Sequence, residues 1–282
     1  MSTIFDWHAG DSPLLVSIPH DGREIPAEIA ARMTDAGRAI PDTDWHVRRL
    51  YDFAASLGAS VIAARYSRYV IDLNRSPEDD ALYPGQVSTG LCPAQTFAGE
   101  PIYTGGGGVD PRERAERVAR YWQPYHAQIA VQLAELRREF GYALLWDAHS
   151  IRGSVPRLFE GELPDLNFGT NDGASCWQAV EQRLAEAARA LPYSWVVNGR
   201  FKGGWITRHY GQPGDGVCAV QLEIAQRAYM NEATLEYDAA RADELARAIR
   251  KLLAAYRAGA TLGAPEEPES ESESESEPEE LE

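Results

Sequence analysis

The chain has 282 residues, 44% of them hydrophobic and 25% charged, and a formal net charge of −16, enough polypeptide to bury a substantial core in one large or two ordinary domains. That acidity argues against a nucleic-acid partner, because phosphates would be repelled. Cys92, Cys176 and Cys218 are odd in number and far apart, with no CxxC, which excludes a disulfide framework or a cysteine zinc knuckle. No N-terminal segment has the order of a signal peptide and no apolar run is long enough for a bilayer, so a cytoplasmic, membrane-free protein is expected.

The acidity is concentrated at one end. Pro265 to Glu282 is Glu, Ser and Pro with a single Leu, a composition that cannot bury enough apolar surface to offset the entropy of ordering. Ten of those residues are glutamates, and taking them from −16 leaves only −6 on the rest. One domain over residues 1–262 and a disordered acidic tail over 263–282 are therefore expected.

Leu14–Ile18 reads as the first strand and runs into Pro19-His20-Asp21-Gly22. Ala27–Met33 follows as a short helix. A loop over Ala39–Asp44 then offers Asp42 or Asp44 as the cap of a helix whose apolar face is Val47, Leu50, Tyr51, Ala54 and Leu57, and which stops at Gly58. Ser60–Ala64 is expected as a second strand and Arg68–Arg75 as a third, since Tyr69, Ile71 and Leu73 alternate there.

Ser76–Val109 loses periodicity, and loops of that length are more often functional than accidental. It closes on four glycines, Gly105 to Gly108, that lack the lysine and strand-turn-helix setting of a phosphate loop. Asp110-Pro111 opens a helical segment reaching Phe140, which Pro124 should kink. Tyr142–Trp146, after Phe140-Gly141, is an apolar strand that stops at Asp147-Ala148-His149-Ser150.

Beyond it come an irregular stretch, Ile151–Gly173, a helix over Cys176–Leu191 and a strand over Tyr193–Val197. A loop follows, Asn198–Trp205, with two cations and three glycines. Val217–Ile224 is a last strand, and Glu232–Ala258 a terminal helix. Alternating strands and helices without repeats predict a three-layer α/β fold around a central mixed sheet.

Such sheets carry their chemistry just past the strands' C-terminal ends. The polar residues stranded there are His20, Asp72, Asn74, Arg75, Asp147, His149 and Glu223. Burial without partners would be costly, so they are expected to share one cleft. Two histidines and a carboxylate form the ligand set of a hydrolytic zinc site, in which zinc makes water nucleophilic near neutral pH. The third ligand stays open at this point among Asp44, Asp42 and Glu24. Glu223, at a strand end, is the candidate general base.

Four segments carry a resemblance: Ser17-Ile18-Pro19-His20-Asp21-Gly22, Asp42-Thr43-Asp44-Trp45-His46-Val47, Ala64-Arg65-Tyr66-Ser67-Arg68-Tyr69-Val70-Ile71-Asp72-Leu73-Asn74-Arg75 and Asp147-Ala148-His149-Ser150. Together they resemble the N-formylglutamate amidohydrolase family over nearly everything before the tail. More distantly, Arg68–Arg75 is similar to a segment of aspartoacylases and succinylglutamate desuccinylases. The resemblance implies a zinc-carboxypeptidase-like, phosphorylase/hydrolase-like fold and one catalytic Zn2+, or another divalent metal, on His20, Asp44 and His149. It implies hydrolysis of N-formyl-L-glutamate to formate and glutamate, a step of histidine degradation.

The distant match puts Asn74-Arg75 on a substrate carboxylate and Arg68 on the oxyanion. A small substrate with two carboxylates calls for planar cations, and Arg200, Lys202 and Arg208 are the candidates for its second carboxylate. Deacylation of N-succinylglutamate or N-acetylaspartate, and a non-catalytic module for acidic metabolites or proteins, are the alternatives. His46, His126 and His209 are not placed among the ligands.

Overall fold

The computed structural model describes residues 3–80 and 89–264. The expected tail, apart from Gly263 and Ala264, and the 81–88 part of the aperiodic stretch lie outside the described residues.

Seven strands form one mixed sheet: β1 (Phe5–His8), β2 (Leu14–Ile18), β3 (Ser60–Ala64), β4 (Ala143–Ile151), β5 (Leu166–Gly169), β6 (Trp195–Val197) and β7 (Val217–Ala225). Their spatial order is β1-β3-β2-β4-β7-β5-β6. The central strands β3, β2, β4 and β7 run parallel, while β1 joins β3, and β5 joins β7, antiparallel. The helices are α1 (Ala27–Ala30), α2 (Asp35–Arg38), α3 (Val47–Leu50), α4 (Pro111–Arg117), α5 (Gln123–Phe140), α6 (Gln178–Arg189), α7 (Trp205–Tyr210) and α8 (Ala239–Gly263). None of the described helices is long and apolar enough to cross a membrane.

Strand alternation divides the core between two faces. Leu14, Val16 and Ile18 of β2, Leu144, Trp146 and Ala148 of β4, and Val220, Leu222 and Ile224 of β7 pack with α6 and α8. The α8 stripe is Ala242, Leu245, Ile249, Leu252, Leu253, Tyr256 and Ala260, spaced for one buried helical face. Close approach of the two helices depends on Gly259, where a Cβ would fall 2.7 Å from the Val180 Cα. On the other face Leu15, Leu145 and Ala219 meet Tyr125, Ile129, Leu133 and Leu136, the buried residues of α5. Helices on both faces of the sheet make the three layers.

Several expected elements are corrected. Arg68–Arg75 is not a strand but a run of turns crossing the C-terminal end of the sheet. Its alternating Tyr69, Ile71 and Leu73 are buried against the α5-side core rather than paired in a ladder. Neither Asp42 nor Asp44 caps α3. His46 precedes it in a left-handed conformation, φ 65°, and Asp21 accepts from the His46 and Arg48 backbone N–H groups at 3.2 and 3.0 Å.

β1 and β5 are four-residue strands that too few residues marked in advance. Pro124 falls in the first turn of α5, and residues 118–122 before it adopt a π-helical turn. The terminal helix begins at Ala239, where the Asp238 side chain accepts from the Arg241 N–H, and not at Glu232.

Candidate metal centre

The α5 side of the sheet is apolar only halfway along its parallel strands. On β4 it reads Ala143, Leu145, Asp147, His149, and on β7 Val217, Ala219, Gln221, Glu223. The register sets Ser17 beside Asp147, Asp147 beside Gln221 and His149 beside Glu223. Four polar side chains from two adjacent strands thus share one buried patch, and His20 reaches it two residues past the end of β2.

Asp44 enters from the preceding loop. Its backbone N–H donates to the His20 carbonyl at 3.1 Å, and its Oδ2 accepts from the Ser150 N–H at 3.0 Å. That oxygen faces both imidazoles, lying 3.0 Å from His149 Nδ1 and 3.7 Å from His20 Nδ1. The donor atoms of His20, Asp44 and His149 all fall within 4.8 Å of one another, and all three residues are buried.

The far nitrogen of each ring is held by its own carboxylate. His20 Nε2 pairs with Asp72 Oδ1 at 2.8 Å, and His149 Nε2 with Asp147 Oδ2 at 2.8 Å. In the tautomer that carries its proton on Nε2, facing the carboxylate, each ring would present its Nδ1 lone pair to the space beside Asp44. The carboxylates are held in turn. Asp72 accepts from Arg68 at 2.6 Å and from the Asn74 backbone at 2.9 Å. Asp147 accepts from Ser17 at 3.0 Å and from the Asn74 carboxamide at 3.1 Å.

The charges are unevenly shared. Burial opposes ionisation of Asp72, yet Arg68 holds its pKa well below the carboxylate range. Burial and the same arginine lower His20. His149 is raised well above an ordinary histidine, because Asp147 and Asp44 outweigh its burial. Burial pushes Glu223 up to about 8. The donor set itself fits a divalent metal: two imidazole nitrogens, one carboxylate oxygen and buried acceptors behind both rings, as metal-binding histidines require.

One cavity gathers most of the residues that the sequence singles out. His20, Asp44, Arg68, Asn74, Arg75, His149, Arg200 and Glu223 all line it, with Phe97, Leu158, Phe201 and Gln221. Arg208 is not in that lining, and its Nε donates to the Gly203 carbonyl. Lys202 pairs with Asp172 at the surface. Asp42 and Glu24 are the alternatives to Asp44 that the structure does not bring to the centre. Asp42 accepts from the Tyr69 hydroxyl at 2.5 Å and the Phe97 N–H at 2.7 Å, and Glu24 pairs with Arg65 at the surface.

The Asn74 side chain is committed to protein partners: its carboxamide nitrogen donates to Asp147 and also lies 3.0 Å from His149 Nε2, and its oxygen accepts from the Ile206 N–H at 2.8 Å. A Cβ at Gly204 would overlap its carboxamide at 2.2 Å, so that glycine permits the contact. Asp72 and Asp147 stood out as strand-end acids but acquired no role in advance. Ser17 and Gln221 were not singled out. Their signal is a polar side chain at a position whose alternation demands an apolar one.

The sequence profile of the N-formylglutamate amidohydrolase family matches residues 12–230. A Pseudomonas aeruginosa N-formylglutamate deformylase is 53% identical over 255 residues, covering 90% of this chain and 96% of that protein. A Pseudomonas putida N-formylglutamate deformylase is 51% identical over 233 residues, covering 82% and 87%. The crystal structure of N-formylglutamate amidohydrolase from Ralstonia eutropha JMP134 superposes with a TM-score of 0.76 at 25% identity, over 90% of this chain and 96% of that one. With a profile match across most of its length and relatives above half identity, this chain belongs to the N-formylglutamate amidohydrolase family.

Proposed function

We propose that the chain hydrolyses N-formyl-L-glutamate to formate and L-glutamate, with zinc held by the Nδ1 atoms of His20 and His149 and the carboxylate of Asp44. The observation that carries this reading is the convergence of those three donors on one buried point, with Glu223 in the same cavity. Bound there, zinc supplies a Lewis-acid charge that polarises the formyl carbonyl, renders water nucleophilic and draws Glu223 toward its carboxylate form.

The protein groups divide the remaining work. Asp72 and Asp147 keep both imidazoles in the tautomer that leaves Nδ1 free. Glu223 takes a proton from the attacking water as the new C–O bond forms. It returns that proton to the amide nitrogen as the C–N bond breaks, so that formate and the free amine separate. Gln221 donates to Glu223 Oε2 at 3.3 Å and fixes its orientation.

Arg68 is buried and paired through its terminal nitrogens with Asp72 and Asp44, while its Nε has no partner among the described residues. That fixed guanidinium stabilises the negative charge that grows on the carbonyl oxygen. Arg75 and Arg200 bring two more cations to the wall and hold the carboxylate beside the scissile amide.

A cavity of about 70 Å3 at the centre suits a small acyl group. Formate or carboxylate release from N-formyl-, N-acetyl- and N-succinyl-L-glutamate by zinc-loaded protein tests the assignment. The formyl compound should turn over at least about tenfold faster than either rival, since a larger group must displace packed walls. No release from it, or equal rates on all three, contradicts the proposal.

A further inference from the structure

A cavity of about 70 Å3 has room, at roughly 10–15 Å3 each, for about five water-sized groups. N-formylglutamate has about twelve non-hydrogen atoms, so with its formyl group at the centre most of the molecule extends elsewhere. A second cavity of about 630 Å3 adjoins the first and shares Phe97, Ser150 and Ile151 with it. Its remaining wall includes Asp42, Glu100, Arg152 and Arg157.

Arg152 sits immediately past the C-terminal end of β4, three residues after His149, where ligands of open α/β sheets are held. It is exposed and makes no hydrogen bond or ion pair among the described residues. The neighbouring cations have other tasks. Arg157 donates to the Thr96 carbonyl and the Gln95 side chain. Arg75 donates to the Thr89 and Asn74 carbonyls and the Thr89 hydroxyl. Of the acids in the outer cavity, Asp42 accepts from Tyr69 and Phe97 and feels the charge of Arg152 without a salt bridge to it, and Glu100 makes no ion pair with Arg152 among the described residues.

We propose that Arg152 binds the side-chain carboxylate of the substrate in the outer cavity and so selects an N-formyl dicarboxylic amino acid over a neutral one. The inference rests on the N-formylglutamate reading above. The α-carboxylate lies directly beside the amide nitrogen and stays at the inner wall with Arg75 and Arg200. The side-chain carboxylate, at the far end of the molecule, crosses the shared boundary at Phe97 and Ile151 and meets the Arg152 guanidinium, which makes neither hydrogen bond nor ion pair among the described residues. A planar guanidinium suits a carboxylate because it donates two parallel hydrogen bonds.

The test compares N-formyl-L-glutamate with N-formyl-L-glutamine, which has the same shape without the second charge, on wild type, Arg152→Gln and Arg152→Lys. Arg152→Gln should raise KM for the glutamate compound about tenfold or more and leave kcat within about twofold, as loss of a contact made equally in ground and transition states requires. Its kcat/KM for the glutamine compound should not change, and Arg152→Lys should recover part of the loss. An unchanged KM, or equal losses on both substrates, overturns the role of Arg152 and leaves the hydrolysis intact. Wild type with no preference between the two compounds has the same consequence. A zinc-loaded wild type that cleaves neither overturns the functional reading itself, and this inference with it.

Discussion

The two faces of β4 and β7 are built from the same backbone and differ in one respect. Towards α6 and α8 they stay apolar through Leu144, Trp146 and Ala148 as far as Ser150, and through Cys218, Val220, Leu222 and Ile224. Towards α5 they change halfway, to Asp147 and His149, and to Gln221 and Glu223. Every residue of both strands is buried, so the second face needs partners along half its length, where the first needs only packing except at Ser150, which accepts from the Tyr229 hydroxyl. One face stores stability, and the other spends some of it on a centre of charge.

Substitutions three residues apart on β4 should separate these two roles. His149→Ala removes a donor and is expected to lower kcat about a thousandfold or more with the fold retained, even with zinc in excess. Trp146→Ala, on the opposite face, should cost about 3–5 kcal/mol of stability in denaturant unfolding, with turnover per folded molecule unchanged. The comparison breaks if the first variant keeps its activity or loses its fold, or if the second is stable but inactive.

Glu223→Gln keeps the shape and removes the proposed base. Its kcat should drop by about 10²–10⁴ while bound metal, measured on the purified protein, stays at the wild-type level. Loss of metal together with activity would mean that Glu223 serves the cation rather than the proton. A smaller effect belongs behind the rings. Asp147→Asn should weaken metal affinity about 10–100-fold, measured by competition with a chelator, because His149 loses its anionic partner. Unchanged affinity would leave the Asp147 pairing without influence on the centre.

The last contrast is in pH. Burial pushes Glu223 up to about 8 from an ordinary 4.5, so the folded metal-free protein binds this proton more tightly than the unfolded chain. The resulting stabilisation is complete below about 4.5 and is lost as pH rises toward 8. Metal-free Glu223→Gln should therefore gain stability over wild type between pH 5 and 9, read as a widening difference in unfolding midpoint. A constant difference across that range would contradict the buried-acid account.

Strand ends were the readable part of this site. Apolar runs broken by His20, His149 and Glu223 marked the sheet edge before any coordinates, because period-two alternation makes a polar intruder visible. The turns over Arg68–Arg75 misled, since their alternation serves packing against α5-side residues and not strand pairing. Asp44 was ambiguous for a different reason. An acid in a loop before a helix looks like a cap, and only the contacts with His20, His149 and Ser150 distinguish it from Asp42, which sits two residues away on Tyr69 and Phe97. The hydrogen bonds behind the histidines join segments more than fifty residues apart for His20 and only two apart for His149. The first is a product of topology, which local pattern does not encode.

The central claim is that one cation, gripped by His20, Asp44 and His149, makes this centre active. Stepwise addition of zinc to chelator-treated protein, with formate release from N-formyl-L-glutamate followed at each step, tests it most directly. Activity should start near zero, rise linearly and level off at about one zinc per chain, and Asp44→Ala should fail to follow. Full turnover in the chelated protein, or an Asp44→Ala titration that overlays the wild type, would contradict it.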